Sequence, residues 1–155
     1  MKEKLVQELL CLFVEKTLAV DIKEEKNRIS FLTKEKMYDP GLAADNKVLD
    51  LFYDGKKRVL FIGLLRLPQA FRGKKISKKL VHIIQTIAER EQYVVFLSAC
   101  DECEFFWKKQ RFISLFKNKE GFDVMGYPKE KELLLTKWTE VKQSSLIQDV
   151  IEECE

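Results

Sequence analysis

Along the first eighteen residues, Leu5, Leu9, Leu10, Phe13 and Val14 recur at three- and four-residue intervals, and most of the intervening positions are polar or charged. That is the period of an α-helix with one apolar stripe, so Lys2 to Leu18 is predicted helical. The pattern then shortens. Arg28–Thr33 (RISFLT), Lys47–Tyr53 (KVLDLFY) and Arg58–Leu67 (RVLFIGLLRL) are short runs of β-forming residues, which predicts three strands. A polar loop with Pro40-Gly41 follows the first, and Asp54-Gly55 marks a hairpin between the other two. Pro68 ends the sheet there, because proline has no N–H to give to a ladder.

Ile76 to Glu91 is a second predicted helix, with Ile76, Leu80, Ile83, Ile84 and Ile87 on one stripe and the lysines and Gln85 off it. His82, the only histidine, falls on the side away from that stripe and reads as a surface residue. Tyr93–Ala99 (YVVFLSA) is nearly continuous in β-formers, as expected of a strand buried on both faces. A helix from Asp101 to Gln110 and strands at Phe112–Phe116, Phe122–Tyr127 and Glu132–Trp138 (ELLLTKW) complete the pattern. In the tail, Ser145-Leu-Ile-Gln148 fits a capping box, and Ile147, Val150, Ile151 and Cys154 form a stripe, so residues 145–155 read as an amphipathic helix. Such a stripe packs on its own domain or, as the alternative, builds a homodimer.

The order predicts a mixed α/β fold, a strand–helix–strand unit embedded in an otherwise antiparallel sheet. At 155 residues, 46% hydrophobic and 34% charged, residues 1–155 are expected to form a single domain with a real core. No window approaches eighteen apolar residues, and the N-terminus lacks the h-region of a signal peptide, so a cytoplasmic protein without a membrane partner is expected. Net charge is +3, but nine Lys or Arg and no acid lie between Gly55 and Ala88, while Thr139 to Glu155 holds five acids and one lysine. The basic block lacks the interleaved aromatics of a nucleic-acid surface, which favours a localised anion site. Of four cysteines, Cys100 and Cys103 form a C-x-x-C pair with no second pair and no nearby histidine. No metal site is expected, and a redox role lacks the surrounding thioredoxin pattern.

The strand Arg58–Leu67, the turn Pro68–Gly73, the helix from Ile76 and the strand Tyr93–Ala99 bring free N–H groups and a helix dipole to one point. Arg72, Lys74, Lys75, Lys78 and Lys79 add charge there, so a di- or polyphosphate is the natural guest. The segment Pro68-Gln-Ala-Phe-Arg72-Gly73-Lys74-Lys75-Ile76-Ser77 resembles the P-x-x-[RQ]-G-x-G-[IL]-[GA] motif of the GNAT superfamily of N-acetyltransferases. Arg72, Gly73 and Ile76 match; Lys75 stands where that family prefers glycine, and Ser77 where it prefers glycine or alanine. Cys100 to Phe112 also resembles the family's N-x-x-A-x-x-F-Y-x-K-x-G-F motif without a gap. Phe106, Lys109 and Phe112 match, while Cys100, Cys103, Trp107 and Arg111 replace its asparagine, alanine, tyrosine and glycine. An alternative register ending at Gly121-Phe122 needs an inserted residue. The resemblance covers about residues 47–138.

The resemblance implies a GNAT-like sheet, splayed between Arg58–Leu67 and Tyr93–Ala99 with helices on both faces, and acetyl-CoA as co-substrate. Backbone N–H groups over Arg72, Gly73, Lys74, Lys75, Ile76 and Ser77 would hold the pyrophosphate, and the backbone of Leu65 and Leu67 would line the pantetheine arm. Trp107 would pack beside the cofactor, in place of the phenol that protonates the departing thiolate in many relatives. Cys100 is then a candidate proton donor. Glu102, Asp50 or a backbone-held water is a candidate base, though Glu102 also suits a helix start. The implied activity is acetyl transfer to an unidentified primary amine by direct attack. The alternative is a GNAT-fold module that binds acyl-CoA without turnover.

Overall fold

The computed structural model describes residues 1–35, 46–100, 103–143 and 146–154. Helix α1 (Lys2–Glu15) is followed by strands β1 (Val20–Glu25), β2 (Arg28–Thr33), β3 (Lys47–Asp54) and β4 (Val59–Leu65). Then come α2 (Ile76–Arg90), β5 (Val94–Ala99), α3 (Glu104–Lys109), β6 (Ile113–Lys117), β7 (Asp123–Tyr127), α4 (Lys131–Gln143) and α5 (Gln148–Glu153). The strands form one sheet in the order β1-β2-β3-β4-β5-β7-β6, antiparallel throughout except for the parallel β4–β5 pair. The fold class is the one expected, a mostly antiparallel sheet around a central βαβ unit.

Alternation along β4 and β5 explains why both strands are buried on both faces. Leu60, Ile62, Val95 and Leu97 face a core shared with α1, α2 and Trp107 of α3. Val59, Phe61, Val94 and Phe96 face a second core with α4 and α5. In α5 the stripe Ile147, Val150, Ile151 and Cys154 is buried in that second core. Packing within one chain thus accounts for it, and a homodimer gains no surface from it. The Pro40-Gly41 loop and Ser145, the expected cap, lie outside the described residues; α5 begins at Gln148 with Ile147 in its cap position.

Four features depart from the sequence reading, the first being Val14, placed on the α1 stripe but 75% exposed while Leu12 is buried in its stead. The segment ELLLTKW is not a strand but part of α4: Leu134, Trp138 and Val141 recur at helical spacing and are buried, while Leu133 and Leu135 are more than a third exposed. Leucine and the flanking Lys and Glu residues are strong helix formers, and these local preferences outweigh a run of three apolar residues. Strand β1 was not expected, since its sequence VDIKEE is mostly charged. It forms the sheet edge, where charge discourages pairing with a second chain. Gln85, read as off the apolar stripe, is 3% exposed and donates its side-chain amide to the Gln110 carbonyl, tying α2 to the end of α3. Among the described residues no helix is long and apolar enough to cross a membrane.

Candidate active site

Strands β4 and β5 pair only from Val59–Val94 to Ile62–Leu97. Beyond that point β4 stays with β3 through a bulge at Gly63, its partners running from Ile62–Leu51 to Leu64–Asp50, while β5 continues beside β7. A side chain at Gly63 would put its Cβ 2.6 Å from the Phe52 ring, so the bulge requires glycine. The sheet therefore parts between Gly63–Leu65 and Ser98–Ala99. This is where the GNAT resemblance expects it to part.

From β4 the chain passes Pro68, a single 3-10 turn (Gln69–Phe71) and Gly73, whose φ of 77° is a left-handed conformation. Lys75 caps α2 with φ 61° and ψ 18°, also left-handed, and no side chain caps the helix. The first intrahelical bond runs from the Lys79 N–H to the Lys75 carbonyl at 3.2 Å. The N–H groups of Ile76, Ser77 and Lys78 thus have no carbonyl four residues back within α2, and the positive end of the dipole is open.

Those groups border a cleft of about 540 Å³ lined by Leu65, Leu67, Arg72, Gly73, Lys75, Ile76 and Ser77. All seven were sequence candidates. Lys74 instead holds its ammonium 5.7 Å from the Phe71 ring centre. Trp107 is 8% exposed and packed edge-on against Phe106 and Phe112, so it belongs to the core and does not line the cleft. The Leu67 carbonyl accepts a 2.9 Å bond from the Arg72 guanidinium, which fixes the turn. Lys78, counted from sequence among the charges at this point, also lines the cleft; Arg66, Phe106 and Gln110, which the sequence reading did not place there, complete the lining. The four-residue spacing of Phe106 and Gln110 on one helix face was the available signal.

The groove continues along α2 into a depression of about 650 Å³ that shares Lys75, Lys78 and Gln110 and adds Lys79, exposed His82, Lys109 and Arg111. Cations crowd here. Lys79 has its pKa drawn below the ordinary 10.5 because the Lys16 ammonium can donate only to its neutral amine and repels its charged form. The unfolded chain therefore binds more protons than the native one just below pH 10.5, so this repulsion opposes folding at neutral pH and lifts as pH rises through the lowered pKa. Lys79→Gln should melt at a higher temperature than the parent at pH 7.5, with the gap closing towards pH 10.5 in thermal scans.

Both glycine positions that the motifs lack carry cations in the left-handed region: Lys75, and Arg111 at φ 68°. Arg111 sits in a Schellman cap of α3, its N–H bonded to the Lys108 carbonyl and that of Phe112 to the Trp107 carbonyl. A left-handed non-glycine residue costs about 1–2 kcal/mol. Lys75→Gly should therefore stabilise the fold by about 0.5–1 kcal/mol after the extra unfolded-state entropy of glycine is subtracted. The same change should weaken binding of a polyphosphate, so melting and calorimetry should move in opposite directions.

Cys100 follows β5 at the opening and is exposed, with its Sγ 2.9 Å from that of Cys103. Glu102 lies outside the described residues. Asp123, in register with Ala99, has its carboxyl held below the usual range by its bond with Glu104 and by Lys117. Asp50 is 5% exposed and bound by Arg28 at 2.6 and 3.0 Å, by the Ser30 hydroxyl at 2.9 Å and by Lys47 at 3.8 Å. It borders a second cavity, of about 710 Å³, on the opposite sheet face, between Phe52, Phe61, Gly63, Ser98 and the α5 carboxyls Asp149 and Glu153. Two cavities thus flank the parted strands.

No protein-family model and no curated protein matches the chain. Solved structures do. Tetrahymena GCN5 is similar over 69% of this chain and 71% of its own, at 11% identity and a TM-score of 0.49. Escherichia coli ElaA is similar over 81% and 88%, at 17% identity and 0.47. The PaiA N-acetyltransferase of Thermoplasma acidophilum, in complex with coenzyme A, is similar over 77% and 69%, at 14% identity and 0.42.

Proposed function

We propose that this chain is a GNAT-type N-acetyltransferase that transfers the acetyl group of acetyl-CoA to a primary amine by direct attack. The observation that carries the reading is the parting of β4 and β5 beside the uncapped start of α2, with a cavity on each sheet face. The N–H groups of Ile76, Ser77 and Lys78, with the Lys75 and Lys78 ammonium groups, suit a pyrophosphate. Hydrogen bonds to such a charged group contribute roughly 1.5–3 kcal/mol each. Leu65 and Phe106 offer apolar walls for the pantetheine arm. The basic groove along α2 suits the remaining phosphate of the cofactor.

The second cavity suits the acceptor, and its Asp149 and Glu153 carboxyls favour a cationic amine. Holding amine and thioester in line can by itself supply roughly 7–11 kcal/mol of barrier lowering. Cys100 is the proton donor for the leaving thiolate in this reading, a modest task because a thiol ionises near 8.5. Asp50 is engaged by Arg28, which leaves Glu102 or a backbone-held water to take the proton of the acceptor. One observation favours a second reading, an acyl-CoA-binding module without turnover: Trp107 replaces the family phenol and is turned into the core.

The test is thiol release from acetyl-CoA over a panel of primary amines. Release that depends on amine supports the enzyme, and Cys100→Ala should then lower kcat. Cofactor binding with no release from any amine supports the module.

A further inference from the structure

We propose that Cys100 and Cys103 form a thiol–disulfide couple that aliphatic disulfides oxidise, closing an intrachain bridge between the end of β5 and the start of α3. The two sulfurs stand 2.9 Å apart, against about 2.05 Å in a disulfide, so closure needs a shift of under about 1 Å. The backbone already holds the two residues together, with the Cys103 N–H bonded to the Cys100 carbonyl at 3.1 Å.

The two thiols differ in exposure in the way the exchange requires. Cys100 is exposed and open to a disulfide from solvent; Cys103 is half-buried against the α1–α2 core, sheltered until its neighbour is modified. The Cys100 thiolate attacks one sulfur of the reagent RSSR, breaking its S–S bond, forming Cys100–S–S–R and releasing RS⁻, which takes up a proton. The Cys103 thiolate then attacks the Cys100 sulfur and displaces the second RS⁻. Two cysteine thiols are oxidised and one RSSR is reduced to two RSH.

Closure acts on the cleft through α3, which starts immediately after Cys103 and carries Phe106 and Gln110 into the cleft wall. The Schellman cap and the Trp107–Phe112 contact hold the far end of α3, so a shift at Cys103 falls on its first turn. This coupling to the cofactor rests on the acetyltransferase reading. The bridge itself does not.

The experiment treats the full-length chain with oxidised glutathione and counts thiols. The titre per chain should fall from four by two for the bridge and by one more for a glutathione adduct on exposed Cys11, with peptide mapping placing the bridge at Cys100–Cys103. Cys103→Ser should stop at a glutathione adduct on Cys100, while Cys11→Ser should still lose two thiols. A titre that stays at four or falls only by the Cys11 adduct, or a bridge elsewhere, overturns the proposal. Acetyl-CoA should bind the oxidised protein more weakly than the reduced; equal affinities overturn the coupling. Failure of the reduced protein to bind acetyl-CoA counts against the acetyltransferase reading, and the thiol titre still decides the bridge.

Discussion

Replacing Ser77 by glutamate is expected to weaken acetyl-CoA binding on the order of 100-fold while leaving the melting temperature unchanged or slightly raised. Ser77 is the second residue of α2 and lines the cleft. A carboxylate there favours the helix, because acids in the first turn offset the dipole by about 0.3–1 kcal/mol. Against a pyrophosphate the same charge is repulsive, by about 4 kcal/mol at 4 Å and an effective dielectric of 20, and it competes for the free N–H groups. Solvent at the cleft mouth reduces that figure, which leaves about 3 kcal/mol, or a hundredfold in affinity. Calorimetry and a thermal scan on the one variant read both halves. Loss of affinity together with loss of stability would indicate a folding defect instead.

Asp50→Ala is expected to cost about 3 kcal/mol of stability, or roughly 10 °C in melting temperature for a chain of this size. The Asp50 carboxylate is nearly buried and accepts bonds from Arg28 and Ser30, with Lys47 nearby. Its removal takes the carboxylate acceptor from a guanidinium and a hydroxyl in a low-dielectric wall. The lower end of the range for buried pairs applies because the Arg28 side chain is 29% exposed. Asp50→Asn retains acceptors and should lose less. Turnover should survive in Asp50→Asn, as a structural role requires; loss of turnover with the fold intact would make Asp50 the base in place of Glu102 or a water.

Much of this architecture was legible in the sequence because its strongest signals are local. The α2 stripe, the Asp54-Gly55 turn and the apolar run of β5 each point to one structure, and each formed. The open start of α2 was legible for the same reason, since a strand, a turn and a lysine-rich helix start follow one another directly. Helix ends were less legible. Helices α1, α2 and α3 all end in Schellman caps, but the left-handed positions are held by Thr17, Gln92 and Arg111, so the glycine signal is absent. Strand β1 was hidden because a charged edge strand lacks the apolar alternation that betrays an inner one. The resemblance implies Trp107 beside the cofactor, but spacing places it on α3 without saying which of two adjacent aromatics faces inward. Phe106 takes the cleft and Trp107 the core. The Arg28–Asp50 pair joins residues 22 apart across two strands, a contact that only the strand register reveals.

The central claim is that the open start of α2 holds the pyrophosphate of acetyl-CoA, and isothermal calorimetry of the unmodified chain with acetyl-CoA tests it most directly. Saturable one-to-one binding is predicted, weakening with added salt as a phosphate contact must and weakened further by Ser77→Glu. No heat of binding up to high micromolar acetyl-CoA, or binding that Ser77→Glu leaves untouched, would contradict it.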